Sequence, residues 1–163
     1  MQNRHVDPVS FDASPVSQTP EPNVEPKVSV DELRHPLTEK AQRLLAAALA
    51  YADKGEHGKA IATLREGMAK VRALVPYAHS VLGVEYLRLG QTAEAIPELA
   101  EAATLFPHDA MAHANLAVSL CMTGQMDRAE REARLALYLD PASHSAQVVL
   151  GDIQEAKARP VPH

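Results

Sequence analysis

Histidine side chains have the widest chemical range in this chain, and the sequence contains eight of them. His79 and His113 stand 34 positions apart. A zinc site needs three or four ligands at about 2.0–2.3 Å from the metal, whereas neighbouring helices pack about 8–10 Å apart. We therefore predict that both histidines pack between helices and that the chain holds neither a metal ion nor a cofactor. His108 and His144, near turns, are predicted to be solvated.

The other chemically capable side chains also lack a catalytic arrangement. Cys121 has no CxxC partner and no Lys or Arg within one helical turn to activate it, so we predict an unreactive, half-buried thiol. Two carboxylate pairs, Glu98 with Glu101 and Asp127 with Glu130, are predicted to be solvated on outer helix faces. No nucleophile elbow, phosphate-binding loop, dinucleotide or zinc-protease motif occurs. The sequence predicts a protein that is not an enzyme, unless the two repeat-related histidines and an acid converge in one pocket.

Charge and composition narrow the classes of partner. The 163 residues carry a net charge of −5 without a Lys/Arg cluster, so we expect neither nucleic acid nor an anionic membrane surface as a partner. No apolar run approaches the roughly 20 residues that span a bilayer, and the first residues lack a secretory pattern. A single Cys fits a reducing compartment. We expect a soluble, cytoplasmic protein, although a chain trimmed of a leader would look the same.

The composition favours helices over strands. Aromatic residues make up 4% of the chain, Trp is absent and Ala is abundant, which suits closely packed helices. Residues 1–28 contain five of the twelve prolines and are predicted to be a disordered extension. Ser29 and Glu32 form a capping-box pattern, so residues 29–37 are predicted to be a short helix or linker that Pro36 ends. Residues 159–163 are predicted to be a tail.

Helix signals recur from Thr38 onward. Thr38 is a predicted N-cap, and the helix after it is expected to stop at Gly55. A second helix is predicted from about Gly58 to Leu74, followed by a helix that begins with Pro76. Thereafter equivalent residues recur every 34 positions: Leu82, Leu116 and Leu150; Gly90 and Gly124; Ala95 and Ala129; Pro107 and Pro141. Small residues are expected where helices lie closest, namely at Gly83, Ala95, Ala102, Ala117, Ala129 and Ala136.

These residues and their period resemble the tetratricopeptide repeat. The second unit carries the pattern most completely, at Leu82-Gly83, Tyr86, Gly90, Ala95, Leu99, Ala102 and Pro107. The third keeps Leu116, Gly124, Ala129, Ala136 and Pro141, and the first keeps Tyr51, Gly55, Ala60, Leu64 and Gly67. The resemblance implies an all-α fold, a right-handed α-solenoid of helix-turn-helix repeats over residues 38–158. Its repeats would cover about 41–75, 76–109 and 110–143, with a capping helix at 144–158.

The resemblance also implies a concave groove, lined by the first helix of each repeat, that receives a peptide or a helix. Its expected lining is Leu45, Leu49, Tyr77, Val81, Val84, Leu87, Arg88, Met111, Asn115, Val118 and Met122. One subclass of the family holds a C-terminal carboxylate with a clamp of Lys, Asn and Arg. Four of the five matching positions are apolar here, so the clamp is disfavoured; the positions are Leu45, Leu49, Val81, Met111 and Asn115.

The sequence leaves several functions open. The leading hypothesis is a non-catalytic interaction scaffold that binds a peptide or an amphipathic helix of another protein in the apolar groove. One alternative is a secretion-type chaperone that holds an export substrate, and another is a homodimer formed through the same groove. In a further alternative, residues 1–35 cover the groove as an internal lid, through apolar side chains at Val9, Phe11, Val16, Val28 and Val30.

Overall fold

The computed structural model describes residues 34–158, and seven α-helices form this part of the chain. They are α1 (Glu39–Asp53), α2 (His57–Lys70), α3 (Val75–Arg88), α4 (Thr92–Leu105), α5 (Ala110–Met122), α6 (Met126–Leu139) and α7 (His144–Ala158). Residues 34–158 contain no β-strand, so the predicted all-α class is confirmed. The predictions for residues 1–28, for most of 29–37 and for 159–163 lie outside the described residues.

The helices stack in the order of the chain. Each helix packs on the next, and the first helices of successive pairs also touch, α1 with α3, α3 with α5 and α5 with α7. Such a stack buries the apolar face of one pair only against its neighbours. The result is a helical solenoid. Within the described range, no helix combines the length and the apolarity that crossing a bilayer demands.

A left-handed glycine closes the turn inside each helix pair. Gly55, Gly90 and Gly124 have φ of 75°, 71° and 75°, a region that side chains with a Cβ rarely enter. The amide after each glycine donates to a carbonyl five residues earlier, as Gln91 N does to Tyr86 O at 2.8 Å. This is the hydrogen-bond pattern of a Schellman cap. The sequence correctly placed the end of α1 at Gly55, and Thr38 caps its start by accepting from Ala41 N at 3.3 Å.

The link between α2 and α3 differs from the prediction. The second helix was expected to reach Leu74, but α2 ends at Lys70, Val71 is extended and Arg72–Leu74 form a 3-10 turn. The first repeat is one residue longer than the others, and this turn absorbs the extra residue outside both helices. It also turns Leu74 inward against Gly67, where an added Cβ would lie 2.5 Å from Leu74 Cδ2.

Alanine and leucine fill the core, and the predicted close approaches are present. Gly83 on α3 faces Leu99 on α4, and a Cβ at Gly83 would lie 2.3 Å from Leu99 Cγ. One repeat later the equivalent positions are Ala117 and Ala133, both fully buried. The remaining predicted small positions are also fully buried, namely Ala95, Ala102, Ala129 and Ala136.

Helix α7 covers the open side of the third pair. It buries Ala146, Val149 and Ile153 against the stack and exposes a polar face at Gln147, Asp152, Gln154, Glu155 and Lys157. Lys157 Nζ reaches back to α6 and donates to Glu130 Oε2 at 2.6 Å, and Arg134 Nη2 donates to Glu130 Oε1 at 2.7 Å. The prediction that Glu130 is merely solvated was wrong, because the Glu130 carboxylate links α7 to α6 through its bond with Lys157.

The ion pairs of Glu130 lead to a prediction about the pH at which its carboxyl titrates. Hydrogen bonds from Lys157 and then Arg134 lower the pKa of Glu130 to about 2. Folding lowers the pKa of this carboxyl, so its ionised form stabilises the fold at pH values above the pKa of the unfolded chain. This stabilisation is lost as the pH falls toward 2. We expect Lys157→Ala to raise the Glu130 midpoint, measured by NMR of the side-chain carboxyl. Lys40→Ala, an equal charge change on α1, should leave the midpoint in place; equal shifts in both variants would contradict the pairing.

Candidate functional site

Two adjoining cavities form an apolar groove along α1, α3 and α5. The first has a volume of about 460 Å³ and is lined by Leu45, Leu49, Tyr77, Ser80, Val81, Phe106, His108, Asp109 and Ala110. The second, of about 210 Å³, is lined by Leu49, Ala52, Asp53, Ser80, Val81, Val84, Glu85, Arg88, Asp109, Met111, Ala112 and Asn115. Because the cavities share four residues, they form one continuous surface. We call the two together the groove.

Most of the residues expected in the groove line it. Eight of the eleven line one or both cavities, namely Leu45, Leu49, Tyr77, Val81, Val84, Arg88, Met111 and Asn115. Leu87, Val118 and Met122 line neither. Met111 is 70% exposed and Leu49 is 42% exposed, so large apolar side chains of α1 and α5 face solvent across the groove. An apolar surface of this kind is typical of a binding site.

Sequence reasoning missed the contribution of the turn between α4 and α5. Phe106, the residue that follows α4, is buried, and its ring centroid lies 5.2 Å from that of Tyr77. His108, Asp109 and Ala110 extend the wall of the first cavity. The prediction assigned the groove to first helices alone. The available signal was Phe106 itself, since the chain has two Phe residues and this one stands at a turn between repeats.

Three charged residues of the groove, Glu85, Arg88 and Asp109, make bonds within the scaffold. Glu85 is 1% exposed, and its Oε2 accepts from His57 Nδ1 at 2.6 Å while its Oε1 lies 3.3 Å from Arg88 Nη1. The Asp109 carboxylate caps α5 by accepting from Met111 N at 2.9 Å. Asp53 adds a further carboxylate to the lining. The groove therefore presents apolar side chains among carboxylates, with Arg88 held by Glu85.

The repeat-related histidines serve packing, as predicted, and each has a carboxylate partner. His79 Nδ1 lies 2.7 Å from Glu98 Oε2, and His113 Nδ1 lies 2.8 Å from Glu132 Oε2. Each contact ties the first helix of a repeat to the second, 19 residues along the chain. The prediction that Glu98 is solvated was wrong, because its side chain is only 19% exposed and pairs with His79.

Each histidine keeps a carboxylate partner of its own. The two pairs are separate, and within residues 34–158 no three His, Cys, Asp or Glu side chains come together as a metal site. Cys121 is half-buried, and burial raises the pKa of its thiol, with the negative charge of Asp152 adding to the shift. The predicted half-buried position of the thiol is confirmed. The groove, rather than these side chains, is therefore the candidate site.

Comparisons with known proteins identify the repeat. Residues 86–150 match the family model described as tetratricopeptide repeat. No curated protein matches the sequence.

Solved structures resemble the whole solenoid. The first tetratricopeptide repeat domain of Spaghetti (RPAP3), bound to the HSP90 peptide SRMEEVD, is 22% identical and covers 77% of this chain and 98% of its own, with a TM-score of 0.70. The second such domain of human RPAP3, in complex with the HSP70 peptide SGPTIEEVD, is 20% identical and covers 71% and 95%, with a TM-score of 0.64. The Sgt2 domain from Aspergillus fumigatus is 17% identical and covers 78% and 89%, with a TM-score of 0.68. At these identities the likeness shows the fold.

Proposed function

We propose that this chain, whose residues 86–150 match the tetratricopeptide repeat model, is a non-catalytic scaffold that binds an amphipathic helix or extended segment of another protein. The observation that carries this proposal is the continuous apolar groove along α1, α3 and α5. Leu49 and Met111 leave much of their side chains in contact with water there. Covering such side chains gains about 25 cal/mol per Å² of apolar surface.

The groove favours a different peptide class from the acidic ones bound by its structural neighbours. Those peptides end in EEVD. Here Asn115 is polar, but the other four positions of the carboxylate clamp are Leu45, Leu49, Val81 and Met111. Carboxylates of Asp53 and Asp109 also line the groove and would repel an acidic C-terminus. We therefore propose that apolar contacts, rather than a bound carboxylate, select the partner.

Substitution of Leu49 tests this proposal. A library of displayed peptides would be selected on the protein, and the binders measured by calorimetry. We expect apolar, amphipathic binders, and we expect Leu49→Asp to weaken them at least tenfold, because a carboxylate would replace apolar contact in the centre of the groove. The peptide SRMEEVD should bind more weakly than about 1 mM.

Leu135→Asp is the matched control for this experiment. Leu135 is 38% exposed, close to the 42% of Leu49, and lies on α6 outside both cavities. The control variant should bind the selected peptides as the unchanged protein does. Tight, saturable binding of SRMEEVD would point to a carboxylate site and contradict the proposed peptide class. Equal losses in the two Asp variants would argue against the groove as the binding surface.

A further inference from the structure

A separate cavity of about 690 Å³ adjoins the groove. Pro76 and Leu105 line this cavity, and the residues that follow them, Tyr77 and Phe106, line the 460 Å³ cavity of the groove. His35 lines the larger cavity as well. Its carbonyl oxygen accepts from Tyr77 OH at 2.6 Å, and its ring meets Phe106 edge-on with centroids 5.5 Å apart. The contacts of His35, Tyr77 and Phe106 therefore form the wall that the two cavities share.

The charge of this cavity differs from that of the groove. Its lining includes two exposed arginines, Arg34 and Arg72, and one carboxylate, Glu101. The lining thus carries more positive than negative charge, in a chain whose net charge is −5. The groove, by contrast, has Asp53 and Asp109 in its lining. We call the 690 Å³ cavity the arginine cavity.

Most arginines of the described chain have a partner, but these two do not. Five of the eight in residues 34–158 contact a carboxylate, a Tyr ring or an amide oxygen, namely Arg43, Arg65, Arg88, Arg128 and Arg134. Within residues 34–158, the guanidinium groups of Arg34 and Arg72 make no ion pair or hydrogen bond, even with Glu101. A guanidinium presents a planar fork of N–H donors that matches a carboxylate. Both forks are therefore available to an acid from another molecule, beside the apolar surface of Pro76 and Leu105.

We propose that the arginine cavity binds a carboxylate side chain of the same partner segment whose apolar residues occupy the groove. The inference rests on the proposed function and adds the charge of the partner, an apolar stretch with Asp or Glu within a few residues of it. An ion pair at an exposed guanidinium contributes little by itself, so an acidic peptide without an apolar stretch is expected to bind weakly. Once the apolar stretch lies in the groove, the acid is held near the arginines at a high effective concentration.

Selection of randomised displayed peptides on the full-length protein tests this inference. We expect Asp and Glu to be enriched beside the apolar residues of the binders, and we expect selection on Arg34→Gln with Arg72→Gln to lose that enrichment. In an enriched peptide, replacing the acid with its amide should weaken binding about tenfold on the unchanged protein and less than about twofold on the variant. Arg128→Gln with Arg131→Gln is the matched control, since both residues lie on α6 outside the groove and the arginine cavity. The control should keep the enrichment and the tenfold effect.

The outcomes distinguish this inference from the proposed function. Binders that depend on Leu49 but show no acidic preference would overturn the role of the arginine cavity and leave the groove in place, as would equal losses in the two arginine variants. Binders that ignore Leu49→Asp would overturn the groove and this inference with it. The melting temperature and sedimentation coefficient of the unliganded variants should match those of the unchanged protein. A loss of stability or of a dimer confined to the Arg34 and Arg72 variant would show that these arginines already hold a group of the same chain or of a second copy, and would overturn the proposal.

Discussion

Leu99→Ala lowers the free energy of unfolding by about 2–5 kcal/mol, the range for deleting a large side chain from a packed core. Leu99 is fully buried on α4 and fills the space that Gly83 leaves on α3. The measurement is urea denaturation followed by circular dichroism, with the midpoint falling and the slope unchanged. Leu135→Ala, on the exposed part of α6, is the control and should change stability by about 0.5 kcal/mol or less.

The close packing of Gly83 against Leu99 also predicts that the effect of Gly83→Ala on stability depends on the residue at position 99. Alone, Gly83→Ala should destabilise, because its Cβ would lie 2.3 Å from Leu99 Cγ. In the Leu99→Ala background the same substitution should stabilise, since Ala117 and Ala133 fill the equivalent positions of the next repeat. Gly151→Ala, where no atom lies within 4 Å of the added Cβ, measures the gain from helix propensity alone, about 1 kcal/mol. If Gly83→Ala had the same effect in both backgrounds, the packing argument would fail.

His57→Ala is the second substitution with a large expected effect, about 1.5–3 kcal/mol of stability, as for hydrogen bonds to charged groups. His57 on α2 holds the buried Glu85 carboxylate on α3 at 2.6 Å. Removing the imidazole would leave a carboxylate that is 1% exposed with Arg88 as its nearest cation, at 3.3 Å. The first two repeats would lose their polar link, and denaturation at neutral pH measures the loss.

Two further variants distinguish the buried contact between His57 and Glu85 from an ion pair at the surface. Arg88→Ala removes the exposed partner of the same carboxylate and should cost less than about 1 kcal/mol. His57→Ala combined with Glu85→Leu should recover most of the loss, because no buried charge then lacks its partner. Equal losses for His57→Ala and Arg88→Ala would contradict the proposed role of His57.

The sequence was sufficient to predict the features of the fold that depend on local chemistry. A glycine with positive φ ends a helix wherever it stands, so Gly55, Gly90 and Gly124 predicted the turns. The 34-residue period predicted the stacking, since equivalent small residues must meet equivalent backbones. The end of α2 was missed because a 3-10 turn absorbs one extra residue there, and Leu74 is held in place by Gly67 rather than by its own neighbours in sequence.

The groove was only partly predictable, because part of its lining depends on contacts between residues that are distant in sequence. The resemblance to the repeat family assigns the groove to the first helix of each pair, and Leu49 and Val81 of that assignment line both cavities. Phe106 was missed, since a residue after a second helix reaches the groove only through the angle at which α4 meets α5. The carboxylate partners were missed as well. Glu98 lies 19 residues from His79, and no local pattern indicates which side of α4 meets α3.

The number of helices that line the groove sets the length of the segment that it can hold. Three helices line it, and neighbouring helix axes lie about 8–10 Å apart, so the row from α1 to α5 measures roughly 16–20 Å across. An extended segment rises about 3.3 Å per residue and would traverse that distance in about six residues. A helical occupant, rising 1.5 Å per residue, would need about three turns. If the groove is the binding site, as we propose, its width suits a short linear motif rather than a folded domain.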